Sequence, residues 1–240
     1  MPFQFLVLDI TFDVLSGIVA LLVSYYAFRY NRLLESVTLK FLSLGFVLLG
    51  MGLLAEAGVL SFVLFSVGDL FSDRLLAAGT TTIYSVLQVA AYFVLALGYI
   101  RGAYDSSRLQ EGQQADANPT TNTSAIILIA LAVVARSPGY QLLYQLIQLS
   151  RAVSLVSEVL SIIFLSMIVF QGALTYAGSQ NKLALLVLVS FSLILLSQGI
   201  ELWSAVSLVV TLHIVGAGIQ FAGFLSLLIF ILWRTKFGSA

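Results

Sequence analysis

Two pairs of carboxylic acids lie inside apolar sequence at one fixed separation. Asp13 opens Asp13-Val14-Leu15-Ser16, and Glu158 opens Glu158-Val159-Leu160-Ser161, 145 positions later; Glu56 and Glu201 are also 145 apart. An ionisable side chain at the centre of a bilayer costs about 2.5–3.5 kcal/mol on insertion scales, so four of them at repeating positions need a physical reason. Carboxylates placed this way suit a hard divalent cation, a cationic substrate, or protons taken up and released during transport. The alternative is structural. The acids would then be protonated, or paired with Arg136 and Arg151 at the edges of apolar runs, and would pin helices together through hydrogen bonds to one another and to Gln88 and Gln220.

The helices that must position these groups can be read from the apolar runs. With 60% hydrophobic and 9% charged residues, most of the chain must face lipid and not water. About twenty apolar residues cross a bilayer as helix. Spans are expected at Phe5–Phe28, Phe41–Leu64, Thr81–Ile100, Ser124–Ala135, Ser150–Ala173, Leu183–Ala205 and Thr211–Trp233. The fourth is short, about 17 Å of helix against a hydrocarbon core of about 30 Å. Gly58–Leu76 and Tyr140–Leu149 mix aromatic or aliphatic residues with acids, Arg74 or glutamines, and read as interfacial helices. Gly102–Thr123 is polar and reads as a solvated linker.

These features give an all-α integral membrane fold: seven transmembrane helices as two parallel three-helix repeats joined by a short fourth helix. The first repeat occupies residues 1–101, with its interfacial helix near 58–76. The linker covers 102–123, the connecting helix and interfacial segment 124–149, and the second repeat 150–240. The third and seventh spans match at a different offset, 132, which pairs Leu87-Gln88-Val89 with Ile219-Gln220-Phe221. Parallel repeats bring Asp13, Glu56, Glu158, Glu201, Gln88 and Gln220 to one depth; inverted repeats would separate the acid pairs. His213, at the start of the last span with Thr81 as its counterpart, could add a nitrogen to a metal site built from the same carboxylates.

Orientation follows from basic residues. With the N-terminus outside, Arg29, Arg32, Lys40, Arg101, Arg108, Lys182, Arg234 and Lys236 are cytoplasmic, against Arg74, Arg136 and Arg151 outside. That bias predicts a multi-pass cell-membrane protein with a cytoplasmic C-terminus. No basic residue precedes the first apolar run, so no cleavable signal peptide is expected.

Several classes are excluded on composition. The formal charge is zero with no long run of one sign, which argues against nucleic acid as a partner. Cysteine is absent and histidine occurs once, removing thiol nucleophiles, disulfides and multi-histidine metal or haem sites. The chain is therefore expected not to be an enzyme. In architecture it resembles the sugar-efflux and Pro-Gln-loop transporters, and its seven spans resemble those of microbial rhodopsins. Because it has no Pro-Gln dipeptide, and no lysine in the last span for a retinal Schiff base, neither resemblance assigns a residue a role. The expected function is a small carrier, or a cation- or proton-binding membrane protein, with the carboxylate cluster as its site and a divalent cation as candidate cofactor. The rivals are a non-catalytic accessory subunit of a larger membrane complex and a seven-helix sensor without an output domain. Expected partners are the lipid bilayer and either other membrane subunits or further copies of the chain.

Overall fold

In a computed structural model of the chain, residues 3–34, 36–65, 70–111, 139–207 and 209–237 are described. They form six helices: α1 (Phe3–Leu34), α2 (Val37–Phe65), α3 (Leu70–Glu111), α4 (Gly139–Ser179), α5 (Lys182–Ser207) and α6 (Val210–Phe237). Each contains a stretch of at least 22 residues apolar enough to cross a membrane, so the protein is a multi-pass membrane protein. All three prolines, Pro2, Pro119 and Pro138, fall outside these helices, which leaves every backbone ladder uninterrupted in lipid.

Six such helices, one fewer than the sequence predicts, occur among the described residues; the expected fourth span, Ser124–Ala135, lies outside them. Helix lengths also differ from expectation. Instead of one interfacial helix over 58–76, α2 runs on to Phe65 and α3 begins at Leu70. Likewise Tyr140–Leu149 is the first part of α4, continuous with the span that follows, and α3 extends to Glu111 through the first half of the expected linker. A helix already nucleated within the bilayer adds one hydrogen bond for each further residue, so it propagates past its apolar stretch into polar sequence.

The helices form a closed ring. Each packs against its neighbour in chain order, and α6 returns to α1. Short turns join the antiparallel neighbours. Gln180 takes a left-handed φ of 47° and donates its N–H to the Tyr176 carbonyl at 2.7 Å, ending α4 one residue before Asn181 and α5. Phe46, Phe191, Phe224, Tyr92, Leu49, Leu95, Ile194 and Leu227 are fully buried and fill the middle of the ring. Phe46 meets Phe224 edge-on at 5.6 Å, and Tyr99 meets Phe191 at 5.4 Å, tying opposite sides of the ring together.

Close helix crossings show the same two-fold relation as the acids. A Cβ on Gly45 would stand 2.6 Å from Leu95 Cγ and 3.1 Å from the Ala91 carbonyl oxygen, so α2 and α3 touch nearly backbone to backbone. The offsets of 145 and 132 carry Gly45 and Ala91 onto Ser190 and Gly223. A Cβ on Gly223 would stand 3.1 Å from the Ser190 carbonyl and 2.7 Å from Ile194 Cγ1, repeating that crossing between α5 and α6 with the glycine moved to the other helix. Small residues at these points let helices approach where no hydrophobic force drives them together.

Candidate functional site

Beyond the aromatic core, at the level of the first turns of the α1, α3, α4 and α6 spans and the last turns of the α2 and α5 spans, the ring encloses a cavity of about 100 Å³. Asp13, Glu56, Glu158 and Glu201 all line it, as do Gln88 and Gln220. Each of the six lies six to ten residues from the nearer end of its span, about 9–15 Å along the helix. Asp9, Ser154, His213, Thr81, Tyr84, Ser85 and Ala217 complete the wall. No Lys or Arg side chain lines it among the described residues.

Twelve of these thirteen residues are six repeat-related pairs. Asp9 matches Ser154, Asp13 matches Glu158 and Glu56 matches Glu201 at the offset of 145; Thr81 matches His213, Ser85 matches Ala217 and Gln88 matches Gln220 at 132. A cavity lined this way requires that α1 run with α4, α2 with α5 and α3 with α6. The far end agrees. A second chamber, about 260 Å³, is lined there by Tyr30 late in α1, Leu39 early in α2, Tyr99 late in α3, Val187 early in α5 and Phe230 late in α6. Thus α3 leaves the ring at the end opposite to the one where α4 enters it.

Symmetry fails at a few positions, and those fix the hydrogen bonds. Gln198 is fully buried where the repeat has Leu53. Its Oε1 accepts from Gln88 Nε2 at 2.6 Å, and its Nε2 donates to Glu201 Oε2 at 2.9 Å. Gly216, where the first half has Tyr84, lets Glu201 lie flat against α6, because a Cβ there would stand 2.9 Å from Glu201 Cγ. Glu56 lies beside the Thr81 hydroxyl instead. Ser154 Oγ donates to Glu158 Oε1 at 3.4 Å, while Glu158 Oε2 has no partner among the described residues. The buried Tyr92 hydroxyl lies beside the Gln88 and Gln220 amides, its contact with Gln220 Nε2 falling just outside strict hydrogen-bond geometry.

His213 faces Asp9 and not the four expected acids: its Nε2 lies 3.3 Å from Asp9 Oδ1 across the α6–α1 seam, with 44% of the histidine side chain exposed and 14% of the aspartate. The equivalent seam between α3 and α4 carries Thr81 and Ser154, a pair of hydroxyls. Among the described residues no three His, Asp or Glu side chains converge closely enough to hold a metal ion, although the acids share one cavity.

Sequence reasoning missed Gln198 and Ser154, while Asp9, one turn from Asp13 and expected either to extend the cluster outward or to be solvated at the surface, lines the cavity. Gln198 precedes Glu201 by three residues on the same helix face, the spacing at which an amide reaches a carboxylate, but a search for matched polar pairs passes over it because its mate is Leu53. Asp9 and Ser154 do match at 145, with different side chains. No protein-family model matches the chain, and comparison with curated proteins and with solved structures returns no match.

Proposed function

We propose that this protein is a small multi-pass carrier that binds protons in the acidic cavity and moves them between the two faces of the membrane. The observation that carries this reading is the cavity wall itself, in which five carboxyl groups face about 100 Å³ of space with one imidazole and no Lys or Arg among the described residues. Five ionised carboxylates at close range in a low-dielectric ring repel one another and lack hydration, so the site must hold positive charge. The space admits about three waters at about 30 Å³ each, and falls below the roughly 300 Å³ at which organic-ligand pockets begin. Protons, delivered through water, meet both constraints.

Two parallel halves around the cavity suit alternating access, in which one half rocks against the other about a fixed binding level. The core of Phe46, Phe191, Phe224 and Tyr92 separates the acidic cavity from the chamber at the far end, supporting access from one side at a time. The test is reconstitution into liposomes containing a pH-sensitive dye, with a potassium diffusion potential set by valinomycin. Acidification faster than in protein-free liposomes is expected, and equal rates would overturn the proposal.

The 3+1+3 arrangement belongs to the same proposal. In this reading Ser124–Ala135 is the crossing helix, supported by the opposite ends at which the described parts of α3 and α4 meet the two cavities, and the N-terminus is outside, supported by the bias of Lys and Arg along the sequence. The absence of cysteine makes this directly measurable. Single cysteines replacing Asn31, Asn181 or Ser207 are expected to react with a membrane-impermeant maleimide in two groups. Asn31→Cys and Asn181→Cys label only after the cells are opened, and Ser207→Cys labels in intact cells. Labelling of Asn31→Cys and Asn181→Cys from opposite sides would mean inverted halves and no crossing.

A further inference from the structure

The chamber at the end opposite the acids has a neighbour of the same size. Gly172, Thr175, Asn181 and Ala184 line this other space of about 260 Å³, and Tyr99, Val187 and Phe230 line both. The two chambers are repeat mates. At the offset of 145, Ala27, Tyr30, Ser36, Leu39 and Leu42 of the first match Gly172, Thr175, Asn181, Ala184 and Val187 of the other; at 132, Tyr99 of the other matches Ile231 of the first. Six of the seven residues lining the neighbour therefore have counterparts on the first chamber, and none of the six pairs keeps the same side chain. Space between packed helices forfeits dispersion contacts each time it occurs, so a packing fault has no reason to recur in both halves after the side chains around it have changed. A space that does recur is one the bundle is built around.

Its walls limit what fits. No Asp, Glu, Lys, Arg or His lines either chamber among the described residues, so a charged molecule would lose its water with no counter-charge to meet it. The polar groups present are neutral: the Tyr30, Ser36, Thr38 and Tyr99 hydroxyls on the first chamber, the Thr175 hydroxyl and the Asn181 amide on the other. A hydroxyl donates or accepts as its partner requires, whereas an acyl chain offers it nothing. Tyr99 and Phe230 give both chambers an aromatic wall, which favours a ligand that is itself a ring. Either chamber alone lies just below the roughly 300 Å³ at which organic-ligand pockets begin, and the two joined across Tyr99, Val187 and Phe230 exceed it. Tyr30, Leu39 and Phe230 stand within about one turn of the ends of their spans, close enough to the membrane surface for a ligand to enter from water.

We propose that the twin chambers bind an uncharged organic molecule of one or two rings carrying a hydroxyl, seated against Tyr99 and Phe230. This site is separate from the acidic cavity and goes beyond the proton-carrier reading.

The test titrates the full chain in lipid nanodiscs with 4-fluorophenol, read by fluorine NMR, with protein-free nanodiscs as the baseline for partitioning into lipid. A saturable change beyond that baseline is expected, and 4-fluorobenzoate, a similar ring bearing a charge, should give none. Val187→Trp puts an indole into the wall common to both chambers and should weaken binding at least about tenfold. Phe230→Leu removes an aromatic face without filling the space; it should weaken binding severalfold, and gives a reading even if Val187→Trp fails to assemble. No saturable change beyond protein-free nanodiscs, equal binding of the benzoate, or wild-type affinity in Phe230→Leu or in an assembled Val187→Trp would overturn the site. None of these outcomes touches the proton-carrier reading, which is decided by liposome acidification.

Discussion

Changing Glu56 and Glu201 together to glutamine is expected to bring proton flux down to the rate of protein-free liposomes, a loss of about a hundredfold or more if the acids carry the proton directly. The bundle itself should survive. Glutamine has the volume of glutamate and keeps a side-chain oxygen, so the Gln198 Nε2 donor that now meets Glu201 Oε2 at 2.9 Å retains an acceptor. Two potential charges leave a low-dielectric ring that has no Lys or Arg lining it among the described residues, which removes repulsion and desolvation cost and should leave thermal stability unchanged or higher. Flux and thermal unfolding, measured on the same reconstituted sample, separate the outcomes. A stable double variant that still carries protons at the wild-type rate would show that the acids only hold helices together.

Much of this site was legible because membrane sequence is quiet. In an apolar run an acid or amide is conspicuous, and the separations of 145 and 132 pointed to Asp13, Glu56, Glu158, Glu201, Gln88 and Gln220, all of which line one cavity. The six described spans follow from hydropathy for the same reason. What stayed hidden depends on side-chain direction. Gln198 closes a network only because α3 and α5 bring Gln88 within 2.6 Å of it across the ring, and periodicity along one helix carries no information about that crossing. His213 was placed near a metal, yet its neighbour Asp9 on α1 is a closer partner than any of the four acids singled out. Helix ends were misjudged at Gly58–Leu76 and Gly102–Thr123, because polar composition marks where a helix leaves the hydrocarbon and not where its hydrogen-bond ladder stops.

The second large effect concerns the crossings that hold the acids at their level. Gly45→Leu and Gly223→Leu should each destabilise the bundle by about 1–3 kcal/mol or more, the cost of overpacking a well-packed contact. At both sites the obstruction includes backbone: the Ala91 carbonyl 3.1 Å from a Cβ at position 45, and the Ser190 carbonyl 3.1 Å from one at 223. A side chain can rotate away, but a carbonyl inside a helix ladder can move only with its helix. The controls are Gly58→Ala and Gly199→Ala, where nothing lies within 4 Å of the added Cβ, and these should be neutral or stabilising by up to about 1 kcal/mol through helix propensity. Unfolding in mixed detergent, followed by circular dichroism, measures all four. Because Gly223 sets the spacing of α5 from α6, pushing them apart also moves Glu201 off Gly216, and Gly45→Leu does the equivalent to Glu56 through α2 and α3. Both variants should therefore lower proton flux along with stability, and wild-type flux in a clearly destabilised variant would show that transport does not need the acids held at this spacing.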